Sequence, residues 1–176
     1  MMTLPAVFWL LVIMFGIVGG FRGWAKEMLA LFSMVLALFL IYVLEAYVPG
    51  IRTALAAQES SLQFILRAIL ILLLAYFGYQ SPNLPLAVFG GKLAREKLQD
   101  WLLGTVLGML NGYFIVGSLW YYLHEANYPW PEFVLAPTPD VAANMIPFLP
   151  PKVIGGPPYI FFAIGAAFVF VIIVFL

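Results

Sequence analysis

The side chains that could do chemistry in this sequence are few and stand apart. His124 is the single histidine, and there is no cysteine, so no second ligand of either kind is available for a metal site. An interface side chain is the simple interpretation of His124, with ligation of a metal or pigment as the alternative. No serine lies in a GxSxG turn or at a suggestive spacing from the histidine. We therefore predict no enzymatic activity, catalytic residue, metal or cofactor.

Two polar side chains interrupt long apolar runs. Arg67 falls about one and a half turns inside its run. A long basic side chain near a helix end usually extends towards water, so we predict that Arg67 reaches the surface or pairs with Glu45 or Glu59. A functional charge inside the membrane is the alternative. Asn111 is the second candidate intramembrane polar residue.

The composition identifies the class of protein that must position these residues. Of 176 residues, 65% are hydrophobic and 9% are charged, whereas about a quarter are charged in ordinary soluble domains. The chain is thus predicted to be an integral membrane protein, with the lipid bilayer as its first partner. Its formal net charge of zero gives no reason to expect nucleic acid as a partner.

Apolar runs predict an all-α, polytopic transmembrane helical bundle. A run of 17 uncharged residues in a helix is about 26 Å long, enough for the hydrocarbon core. We predict a membrane domain over residues 1–123, with four spans, and then a fifth span that follows a proline-rich segment. The predicted spans are residues 4–20, 28–48, 62–79, 101–123 and 159–176.

Three connecting segments differ in character. A short polar link joins the second and third spans. Residues 91–100 form an amphipathic stretch that we expect to lie on the membrane surface before the fourth span. Residues 124–158 contain nine prolines, so they cannot form one continuous helix. We expect this proline-rich segment to lie along the interface or against a partner, with a short helix near Asp140 to Ile146.

Small residues at helical spacing predict where helices approach closely. In lipid, helix packing depends on backbones that come near each other, and glycines four residues apart permit this. Ordinary glycine usage in membrane helices is the alternative. Ala30, Ser33 and Ala37 form a similar stripe that could face the first helix. The predicted helix-packing glycines are Gly16, Gly104, Gly108 and Gly112.

A short polar interruption separates the first two runs. It carries three charges within six residues, and a charge at the bilayer centre costs roughly 2.5 to 3.5 kcal/mol, so the turn should sit at a membrane surface. Gly23 is expected to adopt a conformation that other residues avoid. The residues of interest in this turn are Gly20, Arg22, Gly23, Lys26 and Glu27.

Basic residues predict the orientation of the spans. Five lie in the turn after the first span and the link after the third, whereas Arg52 and Lys152 lie on the opposite side, joined by Arg67 if it extends there. Because Lys and Arg accumulate on the cytoplasmic side, the N-terminus is predicted outside and the C-terminus inside. The proline-rich segment is then extracytoplasmic.

Two motifs carry a family resemblance over roughly residues 1–125. The run from Gly20 to Glu27 resembles the G-x-R-G-x-x-[RK]-E junction of the CvpA family, the colicin V production proteins. The stretch from Asp100 to Gly112 resembles the fourth helix of that family, a leucine-glycine pair followed by glycines at four-residue steps. The family usually has an acidic residue early in its first helix, which is absent here, and a basic residue where this chain has Asn111.

The resemblance implies a bacterial inner-membrane protein associated with colicin V production. Together with the missing chemistry, it leads us to expect a non-catalytic scaffold or accessory subunit of a larger membrane complex. Other subunits would dock through the proline-rich segment and the fifth helix. The alternative is an export or transport factor for toxin peptides or solutes.

Overall fold

Helices dominate the part of the chain that the structure describes. The computed structural model describes residues 3–80 and 94–175. The long helices are α1 (Leu4–Arg22), α2 (Trp24–Tyr47), α4 (Ser60–Tyr79), α5 (Ala94–Glu125) and α8 (Tyr159–Phe175). Shorter elements are α3 (Pro49–Ala56), α6 (Pro139–Met145), a 3-10 helix (Ile146–Phe148) and α7 (Pro150–Val153). Within residues 3–80 and 94–175 there is no strand, so the predicted all-α class is confirmed.

Four of these helices are long and apolar enough to cross a membrane. They are α1, α2, α4 and the Lys97–Glu125 part of α5. They contain the first four predicted spans, apart from Val48 at the end of the second. Helix α8 is apolar but shorter, 17 residues or about 26 Å at the helical rise, and its status as a fifth span is less clear than that of the other four.

Several helices begin outside the predicted spans. Helix α2 begins at Trp24, not at Met28, so the polar turn between the first two helices shrinks to Gly23. The polar link after α2 contains the short helix α3, which begins at Pro49. From Ala94 onward the amphipathic stretch continues into the fourth span as one helix, instead of forming a separate surface helix. Physically, each segment keeps its backbone hydrogen bonds by extending a neighbouring helix or forming a turn of its own. Residues 81–93, which include Lys92 and the start of the predicted amphipathic stretch, lie outside the described residues.

The closest helix pair is α1 and α5, which run antiparallel with glycines facing each other. A Cβ added at Gly19 would stand 2.7 Å from the Cα of Gly108, and one added at Gly104 would stand 2.5 Å from the Gly19 carbonyl oxygen. No side chain fits between backbones this close. Gly16 faces Met109 and Gly112 faces Phe15 in the same interface. The glycines predicted to pack helices therefore lie at a close helix contact.

Helix α2 packs on α4 and α8 more than on α1. The small-residue stripe of α2 faces α4, because a Cβ on Gly78 would stand 2.6 Å from Ser33 Oγ and 3.0 Å from Ala30 Cα. The expectation that this stripe faces the first helix was wrong. Ring pairs Phe39 with Phe161 and Phe32 with Phe168 show that α8 runs antiparallel to α2. The chain therefore returns along α8 towards the Gly23 end of the bundle.

The proline-rich segment packs against the end of the bundle opposite Gly23. The predicted short helix near Asp140 is confirmed as α6. Leu149 is buried beside Trp120, and the rings of Trp130 and Phe64 meet edge to face at 5.7 Å. This segment is thus a folded cover over one end of the helices.

Candidate functional site

The turn at Gly23 brings polar groups of α1, α2 and α5 together. Gly23 has φ +85° and ψ 156°, a conformation that favours glycine, so the predicted restricted backbone is confirmed. The backbone N–H of Trp24 donates to Oδ1 of Asp100 at 3.2 Å. The first N–H groups of a helix have no partner within it, so Asp100 caps α2 from α5. This contact fixes where α2 begins.

Glu27 lies one turn inside α2 and is fully buried, with 0% of its surface exposed. Its carboxylate accepts hydrogen bonds from Arg22, from the Tyr79 hydroxyl at 3.2 Å and from Asn111 Nδ2 at 2.7 Å. The prediction that this turn sits at a membrane surface stays a prediction, but within the protein Glu27 is covered by its neighbours. A buried carboxylate is tolerated because a guanidinium pairs with it and two further donors satisfy its oxygens. We call Arg22, Glu27, Tyr79 and Asn111 the Glu27 cluster.

Arg22 joins α1 to the end of α4. Its guanidinium donates to the Tyr79 carbonyl at 3.0 Å and lies over the Tyr79 ring, 4.2 Å from the ring centroid. The last carbonyls of a helix have no partner within it, so this bond closes the C-terminal end of α4. Because the guanidinium forks towards both groups, lysine would not replace it.

Asn111 holds the cluster to α5, in the middle of that helix. Its Nδ2 donates to both the carbonyl oxygen of Glu27, at 2.9 Å, and the carboxylate of Glu27. Two acceptors on one side fix the orientation of the amide. Its Oδ1 is consequently turned away, and it is buried without a hydrogen bond to any described residue.

The remaining residues of the predicted turn lie beside the cluster. Gly20 packs on α5, where a Cβ would stand 2.6 Å from Thr105 Oγ1. Lys26 is half-buried and forms no ion pair with a described residue. The family-motif turn is therefore divided: Arg22 and Glu27 face into the bundle, and Lys26 does not join them.

A second polar cluster lies at the opposite end of the bundle. Arg67 Nε donates to Glu45 Oε1 at 2.8 Å, and its guanidinium lies 3.9 Å from Glu125 Oε2 and 5.1 Å from the centroid of the Tyr122 ring. The predicted pairing of Arg67 with Glu45 is confirmed. We call Glu45, Arg67, Tyr122 and Glu125 the Arg67 cluster.

His124 lies next to this second cluster without joining it. Its Nδ1 stands 3.3 Å from the Tyr128 hydroxyl, beyond the end of α5. Burial raises the pKa of Tyr128 above its ordinary value. Within residues 3–80 and 94–175, no group of three or more His, Asp or Glu side chains could hold a metal ion.

The comparisons with known proteins now decide the family. The family model described as "Colicin V production protein" matches residues 4–137, about three quarters of the chain. This chain belongs to the colicin V production protein family. No curated protein and no solved structure matches it. Family membership and the apolar helices together indicate a multi-pass membrane protein involved in colicin V production.

The family match covers both polar clusters and all four long spans. It ends at residue 137, within the proline-rich segment, so α6, α7 and α8 lie beyond it. At Asn111, where the resemblance leads one to expect a basic residue, this colicin V production family member presents a neutral amide to Glu27. The positive charge opposite Glu27 comes from Arg22 alone among the described residues.

Sequence reasoning singled out every member of the Glu27 cluster except Tyr79. It assigned Arg22 and Glu27 to a surface turn and Asn111 to the interior, without bringing them together. A signal for the burial of Glu27 was present, because Glu27 stands three residues before Ala30 and thus continues the buried stripe of α2. Nothing in the sequence pattern pairs α2 with Asn111, 84 positions away.

Proposed function

We propose that this protein is a non-catalytic scaffold or accessory subunit of a larger membrane complex in the bacterial cytoplasmic membrane, acting in colicin V production. One observation carries the proposal: the polar groups inside the bundle are used to hold its own helices together. Glu27 is saturated by donors from three other helices, and Arg67 bonds to Glu45. Neither cluster leaves a row of free polar groups along the spans.

The stretch of α2 between the two clusters supports the same proposal. Residues 28–44 carry only Ser33 and Tyr42 as polar side chains, and Ser33 Oγ bonds to the carbonyl of Leu29 in its own helix at 3.2 Å. This stretch is about 26 Å long. A water-filled path along α2 would need polar groups from elsewhere.

We further propose that other subunits dock on the proline-rich segment and on α8. Phe133 and Phe148 in that segment are 84% and 69% exposed. Large apolar side chains outside the long spans are typical of surfaces that contact other proteins.

Cross-linking tests this docking directly. Because the chain contains no cysteine, single cysteines can be placed at Phe162 on α8 and, as a control, at Ile69 on the exposed face of α4. In native membranes, Phe162→Cys should cross-link to another protein and Ile69→Cys should not. Native mass analysis after gentle extraction should then give a complex. A monomer with no cross-link from either position would refute the proposal.

The proposed orientation puts the N-terminus outside and the C-terminus inside. Lys97 lies near the Gly23 end of the bundle and Glu132 in the proline-rich segment, and both are exposed. A membrane-impermeant maleimide should label Glu132→Cys in intact cells and Lys97→Cys only after permeabilisation. Labelling of both from the same side would contradict this arrangement.

An export or transport factor for toxin peptides or solutes is the second candidate. The unpaired Oδ1 of buried Asn111 favours it, since buried polar atoms without a partner are rare and a molecule moving past Asn111 could supply the missing donor. If Asn111 contributes to a path, Asn111→Leu should abolish colicin V export while the protein remains folded in the membrane. Unchanged export at unchanged protein level would exclude this role for Asn111.

A further inference from the structure

A groove of about 560 Å³ runs between the start of α1 and the proline-rich segment. Apolar side chains form most of its lining, and Glu132 supplies a carboxylate. Its position beside the first turn of a membrane-spanning helix puts it at the edge of the bilayer. One wall contains Leu4, Pro5 and Val7, and the other contains Val134, Leu135 and Val141.

The second wall is a stretch of backbone without regular secondary structure. Residues 134–138 belong to no helix or strand. Ala136 and Thr138 each precede a proline, which disfavours the helical conformation and leaves the backbone extended; Thr138 has φ −60° and ψ 152°. An extended segment of five residues is about 17 Å long.

This stretch carries unpaired backbone donors. The N–H groups of Leu135, Ala136 and Thr138 donate no hydrogen bond to any described residue. Unpaired N–H and C=O groups beside apolar pockets are the arrangement by which proteins bind extended peptides, where the main chain gives affinity and the side chains give specificity. An acyl chain has no donor or acceptor for these groups, and a phospholipid headgroup has acceptors but no backbone N–H groups to pair with the carbonyls of this stretch, so an extended peptide matches it better.

The carboxylate of Glu132 restricts the chemistry of the ligand further. Glu132 is exposed and forms no ion pair with a described residue. A ligand with a positive side chain, or a free amino group, would complement it.

We infer that this groove binds an extended, apolar peptide segment that carries a positive charge. The inference rests on the proposed function, in which the proline-rich segment receives other proteins, and it names the chemistry of what docks there. About five residues of the peptide lie along residues 134–138, with their side chains against Leu4, Val7 and Val141 and the positive group near Glu132.

The test uses the full chain in lipid nanodiscs and a fluorescent decapeptide of alternating valine and threonine with one central lysine. Binding is measured by fluorescence anisotropy, with empty nanodiscs as the blank. Glu132→Lys should weaken binding roughly tenfold, since an exposed pair contributes up to about 5-fold and reversal adds repulsion. Glu59→Lys is the matched control: this carboxylate is also exposed and caps no helix through its side chain. It should change binding less than 2-fold.

Two further ligands separate the contributions of backbone and charge. A decapeptide N-methylated at alternate residues should bind at least about tenfold more weakly, because two or more backbone hydrogen bonds are lost. When the lysine of the unmethylated peptide is replaced by glutamate, Glu132→Lys should bind the peptide more tightly than the wild-type chain does. The inference would be overturned if the methylated peptide bound as tightly as the unmethylated one. It would also be overturned if Glu132→Lys bound the lysine peptide as tightly as the wild-type chain does.

The remaining outcomes are equally decisive. If the peptide does not bind and a photoactivatable phospholipid cross-links to residues 134–138 instead, the groove is a lipid site and the inference is wrong. Failure of the proposed function is distinguishable from this. A chain that purifies from its native membrane as a monomer, yet binds the peptide, would refute the accessory-subunit proposal alone.

Discussion

Replacing Gly19 by alanine tests the close contact between α1 and α5. The added Cβ would stand 2.7 Å from the Cα of Gly108, whereas carbon atoms pack best at about 3.5 to 4.0 Å. The two nearest neighbours of this Cβ, the Gly104 carbonyl oxygen and the Gly108 Cα, are backbone atoms. The clash can therefore be relieved only if the helices separate by about 1 Å. Such overpacking costs about 1 to 3 kcal/mol. Alanine offsets up to about 1 kcal/mol of that through its higher helix propensity.

Because the atoms that the new Cβ meets are backbone and cannot rotate away, we expect a cost in the upper part of the overpacking range, about 2 to 3 kcal/mol, and hence a net loss in the free energy of unfolding of about 1 to 2 kcal/mol. It can be measured by adding SDS to the protein in mixed micelles and following tryptophan fluorescence and circular dichroism. Gly165→Ala on α8 is the matched control, because a Cβ there meets nothing within 4 Å. The control should be unchanged or slightly more stable.

The comparison of the two variants decides the matter. If Gly19→Ala and Gly165→Ala unfold at the same SDS fraction as the unmodified chain, the helices do not approach as closely as the structure places them. In that case the glycine spacing would reflect ordinary glycine usage in membrane helices, not packing.

Three other substitutions test the polar clusters and the turn by the same unfolding assay. Glu27→Leu leaves buried donors unpaired and should cost about 3 to 5 kcal/mol. Glu27→Gln keeps part of the hydrogen bonding and should cost less. Equal losses in the two variants would show that the hydrogen bonds of this carboxylate do not stabilise the fold. Gly23→Val should cost about 1 to 3 kcal/mol because φ is +85°. In the control Gly50→Val a Cβ meets nothing within 4 Å, so the cost should be about 0.5 kcal/mol or less. Equal stability of the two variants would argue against backbone strain at Gly23. Arg67→Leu removes a hydrogen bond to a partly buried carboxylate and should cost about 1 to 3 kcal/mol. The control Arg52→Leu changes an exposed residue and should cost about 0.5 kcal/mol or less. Equal stability of these two variants would show that the Arg67 cluster does not stabilise the fold.

The sequence allowed the long spans to be located within a few residues. In lipid every backbone polar group must be satisfied within the protein, so a long uncharged run has little choice except a helix. The conformational freedom of glycine predicted the unusual backbone at Gly23, within a turn that was expected to be longer. Sequence reasoning also predicted the partner of Arg67, since a long side chain near a helix end can reach only the few carboxylates of that end.

The ends of helices were less predictable. Trp24, Ala25, Lys26 and Glu27 were expected to form a polar turn, yet they form the first turn of α2. Asp100 stabilises this turn from a different helix by accepting the Trp24 N–H, which has no partner within α2. A cap supplied across 76 positions leaves no trace in the local pattern.

Hydropathy thus determined by itself that this chain is a bundle of apolar helices and where its charges interrupt them. The tertiary structure alone decided that Glu27 is buried and that it meets Asn111, because which helix faces meet depends on packing between glycines far apart in the chain. A hydropathy pattern describes each helix against lipid. It does not show which helices pack against each other, and the partners of buried Glu27 lie on neighbouring helices.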